Sequence, residues 1–348
     1  MLGELRVLNR NKREEYIDLY RGIGVILMVM GHMKFMYESD GVGRAVFGVF
    51  DHYIHAFHMP MFFFLSGFCH RQSDVSISLL IFKQAKKLLV PYFAFGIVQY
   101  IMWRLYIGDS IDPLINLFWV NTDGLAIAGA IWFLTALFFV IILYSIIVRF
   151  ITNVYVQSVI VMVISMTGCL LPKTTSIRLP YAIDVAFVGL GFYYIGYLLK
   201  NNRDRNNARI IMNPNIIVLI ILSIINVFLI MYNNSVNMRT AKYDFIPLFW
   251  INAVLAIIIG MRLCRLICDK FSDSILRKCI KEVSEIGING LIYVCINQLV
   301  ITICARVLEK VISSSVIYNI LLVAVTFIVL RLAVVVKNIV WIRKASKS

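Results

Sequence analysis

The chain is a succession of long apolar runs separated by short polar stretches. The runs are continuous over about 17 to 22 residues, the length a helix needs to cross a bilayer, whereas a membrane barrel strand alternates apolar and polar over about ten. Ten such segments fit, near residues 17–36, 46–69, 90–107, 128–149, 154–171, 181–199, 215–232, 246–266, 286–305 and 316–336. The expected fold is therefore all-α and polytopic, with about ten transmembrane helices. No connecting stretch is rich enough in Ser, Pro or Gly to mark a linker, so residues 1–348 read as one transmembrane domain. Residues 71–89 are amphipathic and basic and are expected to lie along the membrane surface before Pro91 opens the third span. The basic N-terminus could belong to a leader peptide, but its apolar run has spanning length and no small-residue cleavage pattern follows, so it reads as an uncleaved first span.

Composition agrees with this pattern and removes other classes. Of 348 residues 60% are hydrophobic and 15% charged, with mean hydropathy +0.83, which excludes an ordinary soluble domain and a disordered chain. A net charge of +15 raises nucleic acid as a partner, but the basic residues are sorted by side. With the N-terminus inside, 23 Lys and Arg fall in inner segments and nine in outer ones. The positive-inside rule then puts both termini in the cytoplasm, facing a membrane rather than a nucleic acid. Seven cysteines are scattered through apolar runs without a CxxC pair, so neither a disulfide framework nor a zinc site is expected.

The first run carries Asp18, Arg21 and His32 among Gly, Ile, Leu, Val and Met, where an ionisable side chain costs about 2.5 to 3.5 kcal/mol near the bilayer centre. The eleven positions from Arg21 to His32 bring the two to within about 20° around a helix and about 16 Å apart along it. One face thus presents a permanent cation near one surface and a titratable imidazole toward the other, which suits one long substrate or two substrates from opposite sides. Arg21 is read either as an internal ion pair with Asp18 or as a fork for a phosphate or thioester carbonyl, and His32 as a general base for a hydroxyl. His52, His55 and His58 recur every three residues beside Asp51, with no matching ligand set elsewhere, so no metal is expected. Pro60 is expected to kink that helix, and Ser66-Gly67 to allow a close helix approach with one hydroxyl. Arg71, Lys86 and Lys87 would meet a polyanion from the cytoplasm or serve as plain inside anchors. Trp132 stands where membrane proteins carry interfacial aromatics. Asp184 is a buried acid in a span that also holds Gly189, Gly191 and Gly196.

These residues resemble the acyltransferase-3 family of integral membrane O-acyltransferases. The likeness is carried by YIDLYRGIGVILMVMGH with Arg21 and His32, IHAFHMPMFFFLSGF, KKLLVPYF, IWFLTALFF and LPYAIDVAFVGLGFYYIGYLLK, in the family's order and over nearly the whole chain. It implies a ten-helix bundle in the cell membrane, a bacterial inner membrane, that takes an acetyl group from cytoplasmic acetyl-CoA and passes it to a hydroxyl of a surface or lipid-linked carbohydrate. Arg21 and His32 match the family's Arg and essential His. Arg71, Lys86, Lys87 and Ser66 are then the candidates for acyl-CoA binding, and His58, Trp132 and Asp184 for the acceptor. The chain departs from the family at Asn297, where many relatives have His. The competing reading is a transporter or flippase of lipid-linked sugars, with Arg21 and the histidines lining a polar route. A polysaccharide polymerase would need a larger outer loop than the roughly twenty residues available here.

Overall fold

The structure, a computed structural model, describes residues 14–33, 42–72, 74–118, 124–125, 127, 130–175, 177–202, 206–233, 236–271, 275–312 and 315–345. The basic residues before position 14, the last three of the first expected span and the first two of the fourth lie outside the described residues. Almost all of the rest is helix: α1 (Glu15–Gly31), α2 (Val42–Phe68), α3 (Ile77–Gln84), a π turn (Ala85–Leu89), α4 (Val90–Tyr106), α5 (Asp112–Phe118), α6 (Trp132–Phe150), α7 (Val154–Thr175), α8 (Ile183–Asn201), α9 (Asn206–Met212) and α10 (Ile216–Tyr232). A two-stranded hairpin, β1 (Val236–Asn237) and β2 (Lys242–Tyr243), precedes α11 (Ile246–Lys270), α12 (Leu276–Ile288), α13 (Gly290–Glu309) and α14 (Ser315–Ala345). The strands pair antiparallel, Val236 opposite Tyr243.

Each expected apolar segment overlaps a helix, the ninth overlapping two. Among the described residues, seven stretches are long and apolar enough to cross a membrane, Ile77–Tyr106, Trp132–Phe150, Val154–Thr175, Pro180–Asn201, Ile246–Lys270, Gly290–Glu309 and Ile317–Ile339. The chain is thus a multi-pass helical membrane protein. The other three fall short for different reasons. Helices α1 and α10 have 17 residues each, and α2 carries Asp51 and three histidines.

Two boundaries differ from the hydropathy pattern. Helix α1 stops at Gly31, so His32 is its C-terminal cap rather than an interior residue. The ninth segment is cut at Asn289: α12 ends there and α13 starts at Gly290. The apolar run continues through Ile286 and Ile288, which hides the break. Yet α12 is amphipathic, burying Ile280, Ser284 and Gly287 while Arg277, Lys278 and Lys281 stand on its charged side. Pro91 sits in the first turn of α4, as expected. It lacks the N–H that would reach the Lys87 carbonyl, and the turn before it is the wide π turn holding Lys86 and Lys87.

The scaffold of the site is two helix crossings made on glycine. A Cβ at Gly67 would fall inside the Tyr193 carbonyl oxygen, and one at Gly196 inside that of Phe64, so α2 and α8 touch backbone to backbone. Likewise a Cβ at Gly22 would collide with the Val283 carbonyl and one at Gly287 with that of Asp18, which seats α12 against α1. Such contacts replace a hydrophobic driving force that lipid does not supply. Ion pairs Arg277–Glu15 at 2.6 Å and Lys200–Glu14 at 3.2 Å tie the start of α1 to α12 and α8.

Candidate functional site

Two cavities meet inside the bundle. The first, of about 360 Å³, collects the end of α1 (Met28, His32), the middle of α2 (Asp51, His55, His58), the start of α6 (Trp132) and the hairpin residues Asn237 to Thr240. His32, His58 and Trp132, three positions singled out from sequence, therefore share one chamber. Helical spacing explains the pair on α2, since His55 and His58 lie three residues apart, with ring centroids at 5.4 Å. Each directs one nitrogen into its own helix. His58 Nδ1 is 2.7 Å from the Ile54 carbonyl oxygen, which only accepts, so this nitrogen holds the proton and Nε2 of the neutral ring is the acceptor. His55 Nδ1 meets the Asp51 carboxylate at 3.1 Å and its carbonyl at 2.9 Å. His52 turns away and bonds the Ile230 carbonyl at 2.8 Å.

The second cavity, of about 460 Å³, is lined by Arg21 of α1, Ser66, Cys69, His70 and Arg71 at the end of α2, Lys87 of the π turn, and Tyr193 of α8. Four of the expected residues, Arg21, Ser66, Arg71 and Lys87, thus converge, while Lys86 is not among the lining residues. Adjacent residues on a helix point about 100° apart, which separates the two lysines. Arg21 answers to both of its readings. It pairs with Asp18 at 3.7 Å and donates to the Cys69 sulfur at 3.6 Å, yet its five N–H donors exceed these contacts and its side chain keeps 21% exposure. The Ser66 hydroxyl donates back to the Phe62 carbonyl at 2.7 Å, so its proton is committed to the helix and it offers the cavity an acceptor.

Sequence reasoning passed over His70 and Tyr193. His70 Nδ1 lies 2.6 Å from the Tyr193 hydroxyl, with the Tyr144 ring centroid at 4.9 Å. Burial among these rings pushes the His70 imidazole below its usual range. The signal available was only that His70 stands three residues beyond Gly67, just past the close contact; nothing local names its partner. Arg239, another lining residue and one of the nine basic residues counted in outer segments, enters the histidine cavity from the hairpin between α10 and α11.

Asp184 belongs to that hairpin's support. It is fully buried and accepts from Arg178 Nε at 2.5 Å, and Arg178 Nη2 donates to the Arg239 carbonyl at 3.0 Å. It is not among the lining residues; its hydrogen bonds reach the lining residue Arg239 by way of Arg178. Asp184→Ala should destabilise the fold by about 3 kcal/mol or more, because it strands a guanidinium in a largely buried site. Thermal unfolding in detergent checks this, and an unchanged midpoint would contradict it. Asn297, buried, donates to the carbonyls of Tyr293 at 2.7 Å and Val294 at 3.0 Å within its own helix and lines neither cavity. Among the described residues, no three His, Cys, Asp or Glu side chains converge as a metal centre requires.

The two cavities share three wall residues, Phe62, Phe133 and Val294. A histidine chamber and a cationic chamber thus lie back to back, with α1 lining both: Arg21 and Val25 face one, Met28 and His32 the other. This arrangement can hold a long anionic substrate on one side and a hydroxyl beside a base on the other.

No curated protein and no solved structure matches the chain. The family model for the acyltransferase domain, by contrast, matches residues 14–337. With that match spanning both cavities and every helix around them, the chain belongs to the acyltransferase-3 family, membrane acyltransferases that move an acyl group from a donor to a hydroxyl-bearing acceptor.

Proposed function

We propose that the chain works as one domain that moves an acetyl group from cytoplasmic acetyl-CoA to a hydroxyl of a carbohydrate, lipid-linked or at the cell surface, with both termini in the cytoplasm of a bacterial cell. The single observation that carries this reading is the shared wall between a cationic cavity and a histidine cavity. On this orientation the cationic cavity opens inward. Arg71 and Lys87 receive the CoA phosphates, with Lys86 adding charge at the mouth, and Ser66 and Arg21 lie along the pantetheine toward the thioester. The acceptor enters the histidine cavity against His58 and Trp132, while Asp184 holds the hairpin wall in place.

His32 takes the proton of the acceptor hydroxyl as its oxygen attacks the thioester carbonyl; the new C–O bond forms, the C–S bond breaks, and the proton passes to the CoA thiolate. The negative end of the α1 dipole stabilises the positive charge that develops on this cap residue. Arg21 and His32 need not touch. The separation of about 16 Å along the helix is the depth over which donor and acceptor approach one another from opposite sides.

The test is donor dependence in native membranes. Arg21→Ala should lower kcat/KM for acetyl-CoA about 10- to 100-fold, mostly through KM, as expected for losing a charged hydrogen bond, and Arg21→Lys should recover only part of it. An unchanged KM at matched membrane levels would contradict the assignment.

A further inference from the structure

The wall between the cavities is built by three helices that each place one apolar side chain at the same level. Along α2, His58, Phe62 and Ser66 fall at successive four-residue steps on one face. His58 lines the histidine cavity only, Ser66 the cationic cavity only, and Phe62 both. Along α13, Leu291 lines the cationic cavity and Val294, one turn on, lines both. Along α6, Trp132 lines the histidine side, Leu134 the cationic side, and Phe133 both. Helix α1 crosses the same level between Val25 and Met28.

The wall is apolar and buried. The rings of Phe62 and Phe133 stand 5.8 Å apart between centroids and tilted by 54°, and Phe63 backs Phe133 at 5.0 Å. Phe62, Phe133 and Val294 are all buried, and none of the three residues at this level carries a polar side chain. Such an apolar septum holds back the charged CoA head, yet opens by side-chain rotation for a small apolar group.

We infer that Phe62, Phe133 and Val294 form a selectivity septum that admits the acyl end of the thioester to the histidine cavity and sets its length, favouring two carbons over four. This deepens the O-acyltransferase reading and rests on it. The thioester carbonyl is attacked at the septum, from the side where His32 lies; CoA stays behind in the cationic cavity and leaves as the thiol. A longer acyl chain needs more room between two aromatic rings that are already in contact, so the wall rather than the CoA site discriminates.

The experiment uses the full chain in detergent-permeabilised native membranes, supplied with acetyl-, propionyl- or butyryl-CoA labelled in the acyl group, and reads base-labile label in the glycan fraction. Three variants open the wall separately: Phe62→Leu, Phe133→Leu and Val294→Ala. Rates for different donors are compared on the same preparation, so the amount of folded protein cancels. Wild type should favour acetyl over butyryl, and at least two variants should raise the butyryl-to-acetyl ratio about tenfold or more, the effect of added room in an apolar pocket. Wild-type transfer of butyryl as fast as acetyl, or unchanged ratios in active variants, overturns the septum and leaves O-acyl transfer standing. Loss of transfer from every donor in all three variants also overturns it, since enlarging the opening should spare the acetyl group. Absence of acyl transfer by wild type overturns instead the reading on which the septum rests.

Discussion

Replacing His32 with Ala should reduce acyl transfer about 10³-fold in kcat, within the range by which a positioned general base accelerates proton removal. The KM for acyl-CoA should hardly move, because the proposed CoA contacts lie in the other cavity and His32 lines only the histidine chamber. This split distinguishes a base from a packing residue, whose loss would lower protein level and raise KM together. The fold should survive: His32 caps α1 through its backbone, with its N–H bonded to the Val29 carbonyl at 3.2 Å, and the substitution keeps that N–H. Initial rates of labelled acetyl transfer in membranes with matched protein decide the matter. A His32→Ala protein that acylates at the parent rate would remove His32 from the chemistry.

The second large effect is structural. Gly67→Ala adds one methyl where the Tyr193 carbonyl already stands, and that carbonyl belongs to the backbone of α8. A side chain could rotate away; a helix backbone cannot, so α2 and α8 must separate. Overpacking of this kind costs about 3 kcal/mol. It would also draw Cys69 and His70 from Tyr193, loosening the cationic cavity. Gly48→Ala is the matched control, because a Cβ there meets nothing within 4 Å and Ala favours helix by about 1 kcal/mol. Thermal midpoints in one detergent should fall for Gly67→Ala and hold or rise for Gly48→Ala. Equal midpoints would mean that the crossing is looser than its geometry.

Much of this architecture was legible in the apolar runs, because spanning length and composition are properties of single segments. The placement of Arg21 and His32 on one helix followed from their spacing, and the close approach at Ser66-Gly67 and at Gly196 from residue size. What the pattern missed depends on partners far along the chain. The apolar character of Met33, Phe35 and Met36 carries the first run past Gly31, where the helix stops. The ninth run crosses the break at Asn289 because Ile288 and Leu291 are apolar on both sides of it. Asp184 was visible as a buried acid, but its pairing with Arg178 and the reach to the hairpin are set by a loop no periodicity describes. The hairpin likewise brings Arg239 to the cavity, and the septum joins Phe62, Phe133 and Val294 from three separate helices. Phe and Val within apolar spans carry no local sign of standing between two cavities.

The central claim, transfer of an acetyl group to a carbohydrate hydroxyl, is tested most directly by mass spectrometry of surface glycans. Cells carrying the intact protein, Arg21→Ala or His32→Ala would be compared after their membrane levels are matched. The account predicts glycans of normal length that lack the mass of one acetyl per modified site in the His32→Ala cells, with partial loss in Arg21→Ala. Full acetylation in the His32→Ala cells, or unchanged acetylation with glycan missing from the surface as a transporter would give, would contradict it.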